Sequence, residues 1–241
     1  MVLVSDKQNW CSSAQLAGRT ALGKFELFIF DCDGVLVDSE PISAAAHKAA
    51  YAEHGVELRD EVMARCVGMK QKDIIALIAK ETGFELPDHS IPNIWREVQR
   101  LMHETLQPTK GIIDFLGGDP HHRCVASSSA LERIVLSLHI TGVDAHFKAG
   151  RMFNSAMVKH GKPAPDLFLH AAAQCSAQPS ACAVFEDSVY GVQGAVAAGM
   201  TAYGYVGGSH CGPHQAAKLK QAGASEVFSS WAEAKAHLQG R

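Results

Sequence analysis

Two aspartates, Asp31 and Asp33, stand two residues apart where an apolar run, Leu27 to Phe30, stops. In an extended chain residues i and i+2 point to the same side, so both carboxylates can face one pocket. Like charges this close repel each other and lose water when partly buried. Either a cation lies between them, or one of them holds a proton. Three further polar groups sit in comparable places. Ser127 ends the run Arg-Cys-Val-Ala-Ser, Lys162 lies in His-Gly-Lys-Pro-Ala-Pro-Asp just ahead of a helix start, and Glu186-Asp187 follow Cys-Ala-Val-Phe.

Together these groups suit a phosphate held on a metal. Carboxylates bind a hard divalent cation through oxygen, and Mg²⁺ takes one or two of them plus waters and a substrate phosphate oxygen. Lys162 adds a second positive charge, and Ser127 can donate to a phosphoryl oxygen. Without those cations, a carboxylate and a phosphate at about 4 Å repel by roughly 4 kcal/mol at an effective dielectric near 20. The metal and the lysine reverse that sign. One aspartate would then attack phosphorus and become an aspartyl phosphate. The other would protonate the leaving alkoxide and later deprotonate the attacking water, its anionic neighbours raising its pKa and helping it hold the proton. Singly each group is ordinary: a turn, a Ser-rich loop, a surface lysine, a helix start that Ser188 could cap. Their joint order at strand ends argues against coincidence.

Positioning them requires a scaffold that alternates strands and helices. Short apolar runs predict strands at Leu27–Phe30, Arg123–Ala126, Phe147–Ala149, Cys182–Phe185, Thr201–Val206 and Glu226–Phe228. Helical patterns lie between them at Ala130–His139, Pro165–Gln174, Val189–Ala198 and His214–Ala222. Such alternation predicts an α/β fold, a Rossmann-like parallel sheet with helices on both faces and ligands beyond the carboxyl ends of the strands. Residues 39–108 break the alternation and read as an inserted all-helical domain, with helices at Pro41–His54, Asp60–Cys66, Lys72–Glu81 and Ile91–Leu106. The core is therefore expected over 24–38 and 109–241, joined to the insertion through a hinge at Gln107–Gly111. Residues 1–23 lack the order of a signal peptide and read as an ill-ordered N-terminal extension.

Composition bounds the partners. The 241 residues are 47% apolar and 20% charged, with a formal net charge of −3. That leaves no electrostatic footprint for nucleic acid or an anionic membrane, and no stretch is long and apolar enough to span a bilayer. Seven scattered cysteines, without a Cys-x-x-Cys pair, read as buried thiols in a reducing, cytoplasmic setting. His210, Cys211 and His214 lack a fourth ligand and read as solvated loop residues.

The four motifs FDCDGVLVDSE, CVASSS, GKPAPD and VFEDSVYGVQGAVAAGM resemble the haloacid dehalogenase (HAD) superfamily, from about Lys24 to the C-terminus. The branch most similar is that of phosphatases and phosphomutases with a helical cap inserted after the first strand. The resemblance implies Asp31 as nucleophile, Asp33 as acid/base, and Ser127 and Lys162 as phosphate ligands. It implies Mg²⁺ on the carboxylates of Asp31 and Asp187 and the backbone carbonyl of Asp33, with Glu186 as ligand or through a water. Cap specificity is expected around Lys70, Gln71 and Lys72.

The expected activity is hydrolysis of a small phosphorylated metabolite, a sugar or sugar-acid phosphate, by a monomer or small homo-oligomer. Two other readings compete. A sugar phosphomutase resembling β-phosphoglucomutase would need a histidine and a cap arginine where Ser43 and Gln71 stand. A phospho-receiver module would share the carboxylates, Ser/Thr and Lys, but needs no helical insertion of this size. A dehalogenase would lack the acid at Asp33.

Overall fold

A computed structural model describes residues 25–117 and 122–240. The N-terminal extension expected over 1–23 lies outside the described residues. Six strands form one parallel sheet: β1 (Leu27–Phe30), β2 (Arg123–Ser127), β3 (Met152–Asn154), β4 (Cys182–Glu186), β5 (Thr201–Tyr205) and β6 (Glu226–Phe228). Their order is β3-β2-β1-β4-β5-β6. The chain thus winds outward from β1 in both directions, and the crevice where the direction reverses lies between β1 and β4.

Strand β1 reads Leu-Phe-Ile-Phe and is buried at all four positions, as expected for a central parallel strand covered on both faces. Alternation divides its side chains between two cores. Phe28 and Phe30 join Phe185, Tyr203, Phe115 and Trp231 on one face. Leu27 and Ile29 join Val184, Phe168, Val192 and Leu219 on the other. The first face is covered by α5 (Ile112–Leu116), α6 (Leu131–Ile140) and α10 (Trp231–Gln239), the second by α7 (Asp166–Gln174), α8 (Val189–Ala197) and α9 (Gln215–Gln221).

Between β1 and α5 the chain is helical, with α1 (Glu40–Ala52), α2 (Asp60–Cys66), α3 (Gln71–Thr82) and α4 (Ile91–Thr105). α4 is strongly amphipathic and buries Ile94, Val98 and Met102. The two strands of chain leading to and from these helices meet: Asp38 N–H donates to the Gln107 carbonyl at 3.0 Å, and Val37 bridges Pro108. Thr109 ties this junction to the core. Its hydroxyl donates to the Val35 carbonyl at 2.5 Å and accepts from Trp231 Nε1 at 2.9 Å. Among the described residues, no helix is long and apolar enough to cross a membrane.

One strand is displaced from its expected place. The edge strand is Met152–Asn154, not Phe147–Ala149. Phe147 follows a 3₁₀ turn and plugs the core beside Phe30 instead. Helices α5 and α10 were not expected from the hydrophobic pattern, being short or without a wide apolar stripe.

Trp231 stacks on Tyr205 at 4.4 Å and tilts against Phe115 at 4.7 Å and Phe185 at 5.3 Å. Its loss would open a large cavity and orphan the Thr109 hydrogen bond. Trp231→Ala is expected to cost about 3–5 kcal/mol of stability in urea unfolding; a loss below about 1 kcal/mol would contradict this account of the core.

Candidate active site

The backbone ladder between β1 and β4 runs one residue past β1, because Asp31 N–H donates to the Phe185 carbonyl at 3.0 Å. That contact places Asp31 beside Glu186, the last residue of β4, and Asp187 after it. The three carboxylates are buried, and each offers an oxygen within 4.8 Å of the others. Lys162, from the loop before α7, reaches across to them. Its Nζ lies 2.7 Å from Asp31 Oδ1 and also pairs with Glu186. Ser127, the last residue of β2, is buried at the same end of the sheet. The structure brings Asp31, Lys162, Glu186 and Asp187 together, with Ser127 at the same end of the neighbouring strand.

Burial pushes the Asp31 carboxyl up to about 7, with Glu186 and Asp33 adding to the rise and Lys162 opposing it. Burial likewise raises Glu186 and Asp187. Lys162 moves in the sense that favours its charge. Burial works against the ammonium, but Asp31 and Glu186 outweigh it and raise its pKa. A second cation supports Asp187: His210 Nε2 lies 2.9 Å from Asp187 Oδ2. Burial acts to lower the imidazole, yet the hydrogen bond to Asp187 and the adjacent Cys211 push it up to about 11. The reading of His210 as a solvated loop residue is therefore corrected. The loop after β5 brings His210 to the site, where its side chain is 6% exposed and lies close to Gly34 and Gly208. An all-oxygen, anionic and crowded donor set is what a hard divalent cation requires, so Asp31, Glu186 and Asp187 fit such an ion.

Neighbouring residues hold these carboxylates in place. Ser188 does so while capping α8, its hydroxyl donating to Glu186 Oε2 at 2.9 Å and accepting from Gly191 N–H at 2.9 Å. Two glycines make room. A Cβ at Gly191 would overlap the Glu186 carboxyl, and one at Gly34 would overlap Asp187. Gly34 also has φ +77°, a conformation that side chains disfavour.

Asp33 is held by different partners. Arg133 donates to its Oδ1 through Nε at 3.2 Å and Nη2 at 3.0 Å. Ser129 donates to Oδ2 at 2.6 Å, and Ser39 donates to Oδ1. Burial acts to raise this carboxyl, but Arg133 and the serine hydroxyls hold it below the usual range. The expectation that anionic neighbours raise Asp33 is thus corrected: its nearest charged partner is a guanidinium. Arg133 and Ser129 were missed by sequence reasoning, and Ser39, expected in a specificity hinge over Ser39–Ser43, instead donates to Asp33. The Ser-rich run after Ser127 was the available signal for Ser129.

The helical segment approaches the core through two loops. A Cβ on Gly68 would stand 3.7 Å from Ser188 Cβ, and Gly68 N–H donates to Glu40 Oε1 within the segment at 3.3 Å. Lys70 Nζ lies 3.3 Å from where a Cβ on Gly161 would stand, next to Lys162. Glu40 is pushed up to about 7 by burial and by the charges of Asp33 and Asp187. Gln71 and Lys72 are exposed on the first turn of α3.

The family model of haloacid dehalogenase-like hydrolases matches residues 28–205. The chain belongs to that family. It is 30% identical over 194 residues to the 6-phosphogluconate phosphatase of Escherichia coli, covering 80% of this chain and 87% of that protein. A beta-phosphoglucomutase of Mycobacterium tuberculosis is 27% identical over 243 residues, 87% of this chain and 91% of that one. Among solved structures, a HAD family hydrolase from Deinococcus radiodurans with bound phosphate and sodium is 30% identical. It superposes with a TM-score of 0.76 over 90% of this chain and 96% of that chain.

Gly191 offers a test of the crowding. Within a helix, Gly→Ala ordinarily stabilises by about 0.5–1 kcal/mol. Here the new methyl must displace the buried Glu186 carboxyl, so Gly191→Ala is expected to destabilise by about 1–3 kcal/mol in thermal or urea unfolding. A stabilised variant would contradict the close approach.

Proposed function

We propose that this chain is a Mg²⁺-dependent phosphatase of a small phosphate monoester, a sugar or sugar-acid phosphate, acting through an aspartyl phosphate on Asp31. The observation that carries this reading is the buried convergence of Asp31, Glu186 and Asp187 on Lys162 between β1 and β4. Family membership and the phosphatase among the relatives support it.

Mg²⁺ would be held by the carboxylates of Asp31 and Asp187 and the backbone carbonyl of Asp33, with Glu186 as a further ligand or through a water. When bound, the ion offsets the negative charge of the phosphoryl group and lets an anionic nucleophile approach. An Asp31 carboxylate oxygen bonds to phosphorus as the bond from phosphorus to the substrate oxygen breaks. Asp33, carrying a proton, gives it to that departing oxygen. As a carboxylate it then takes a proton from the water that attacks phosphorus and frees Asp31. Ser127 and Lys162 bind phosphoryl oxygens, so Lys162 exchanges part of its carboxylate shell for substrate. Arg133 favours the ionised form of Asp33. Asp33 must therefore loosen that contact before it can serve as the acid.

Residues 39–108 act as a cap on the core formed by 24–38 and 109–241. The paired backbone of Asp38 and Gln107 supports a hinge between them. Lys70 beside Gly161 supports the approach of the cap loop to the site, and Lys70, Gln71 and Lys72 belong to its specificity surface. A cap of this kind leaves room for a small metabolite and none for a polymer. The thiols Cys32, Cys66, Cys124, Cys175, Cys182 and Cys211 are free, which supports a reducing setting.

The phosphomutase is the second reading, favoured by the mutase among the relatives. It requires a grip on a second phosphate. Ser43 and Gln71 carry no charge. Hydrolysis is the better-supported outcome.

With Mg²⁺, the protein is expected to release inorganic phosphate from a sugar phosphate, and EDTA is expected to stop it reversibly. Asp31→Asn should lose roughly 10³-fold or more in kcat while still unfolding in one cooperative transition. Phosphorus NMR with glucose 1-phosphate and a sugar bisphosphate should show free phosphate ahead of glucose 6-phosphate. Activity indifferent to chelation, or a fully active Asp31→Asn, would overturn the mechanism; faster accumulation of glucose 6-phosphate would make the protein a mutase.

A further inference from the structure

Most oxygens of the clustered carboxylates are already engaged by the protein. Lys162 takes Asp31 Oδ1 and Glu186 Oε1. Glu186 Oε2 accepts from the Ser188 N–H at 3.1 Å and from its hydroxyl at 2.9 Å. Asp187 Oδ2 lies 2.9 Å from His210 Nε2, which carries the proton because a carboxylate oxygen only accepts. Asp31 Oδ2 and Asp187 Oδ1 accept no hydrogen bond from the described residues.

The hold on Asp187 Oδ2 is built into the backbone. A Cβ on Gly34 would overlap both this oxygen and His210 Cε1, so the carboxylate and the imidazole pack on the bare glycine. The loop that carries His210 is fastened on either side of it. Ser209 donates to Asp38 Oδ1 through its N–H at 3.2 Å and its hydroxyl at 2.9 Å. Gln215 Nε2 donates to the Asp187 carbonyl at 2.6 Å. Within the ring, Nδ1 is buried with no partner among the described residues. Polar contact is confined to Nε2, which faces Asp187 and lies 3.3 Å from Cys211 Sγ. Asp187 Oδ2 therefore cannot turn to an ion without displacing a fastened loop.

We infer that His210 is the positioning residue that makes Asp187 a one-oxygen ligand, and that it thereby sets the site against Ca²⁺ in favour of Mg²⁺. The inference rests on the metal-dependent phosphatase reading and deepens it. Mg²⁺ demands an octahedral shell and keeps several waters, so single carboxylate oxygens suffice for it. Ca²⁺ takes about 6–8 oxygens, gained in part from carboxylates that bind through both. With Oδ2 held by His210, Asp187 has only Oδ1 to give. The charge of His210 does not discriminate, because both ions carry the same charge and an imidazolium disfavours them alike.

The test titrates Mg²⁺ and Ca²⁺ by calorimetry into metal-free wild type, His210→Ala and His210→Gln, without substrate. His210→Ala removes both the charge and the donor. Loss of the charge strengthens both ions by a common factor, which cancels in their ratio. Loss of the donor frees Oδ2 and should raise affinity for Ca²⁺ relative to Mg²⁺ by about tenfold or more. Glutamine places an N–H donor near the position of Nε2, so His210→Gln should return the ratio to that of wild type. A ratio unchanged in His210→Ala, or raised equally in both variants, would overturn the inference and leave the phosphatase reading standing. Should His210→Ala fail to fold, infrared difference spectra of wild type with one equivalent of Ca²⁺ decide the matter. Carboxylates bound through one oxygen or through both differ in the separation of their stretching bands. Only the one-oxygen pattern is expected, and a two-oxygen band would overturn the inference. Binding of neither ion by wild type would instead overturn the metal-dependent phosphatase reading, and the role of His210 with it.

Discussion

Three carboxylates buried within reach of one another are an unfavourable arrangement, and much of this molecule exists to sustain it. Asp31, Glu186 and Asp187 gain stability from water only if exposed, and here they are enclosed. Lys162 and His210 supply the compensating charge inside the protein. Breaking such a buried pair by removing one partner typically costs about 3–5 kcal/mol, because the remaining charge is stranded. The surrounding sequence is fitted to the same need. Ser188 and Gly191 shape the start of α8 around Glu186, and Gly34 lets the chain pass close against Asp187. A site that concentrates negative charge at this expense is a site prepared for a cation.

The sheet makes this arrangement possible. Reversal of winding between β1 and β4 brings two strand ends side by side, so residues more than 150 positions apart in sequence become neighbours through backbone pairing alone. The aromatic cluster beneath, with Phe30 stacked on Phe185 at 5.2 Å, locks the two strands that carry the acids. Trp231 and Thr109 connect that cluster to the junction with the helical segment. The helical segment then brings Ser39 and Glu40 to Asp33 and Lys70 to Gly161.

The parts of this design that depend on local pattern were legible in the sequence. Buried parallel strands read as continuous apolar runs, and Leu27–Phe30 and Cys182–Phe185 are such runs, each ending in acid. Strand β3 was not legible, since a three-residue edge strand pairs on one side only and carries little hydrophobic signal. The site divides in the same way. Asp31, Ser127, Lys162, Glu186 and Asp187 sit where strand ends and a helix start announce them. Arg133 and His210 do not, because their roles arise from contacts to Asp33 and Asp187 that no periodicity encodes. Ordinary charges on a helix and in a Gly-rich loop acquire their meaning only when the fold brings an acid against them. The environment of Asp33 shows the same limit: proximity to Asp31 in sequence suggested repulsion, and the fold supplies an arginine.

The central claim is that Asp31 is phosphorylated during turnover. It is tested most directly by quenching the protein during reaction with a sugar phosphate and Mg²⁺, reducing with borohydride, and mapping peptides by mass spectrometry. An acyl phosphate is reduced to the alcohol, so the account predicts homoserine in place of aspartate at position 31 and nowhere else. An unmodified Asp31 under conditions of rapid phosphate release, or reduction at a different carboxylate, would contradict it.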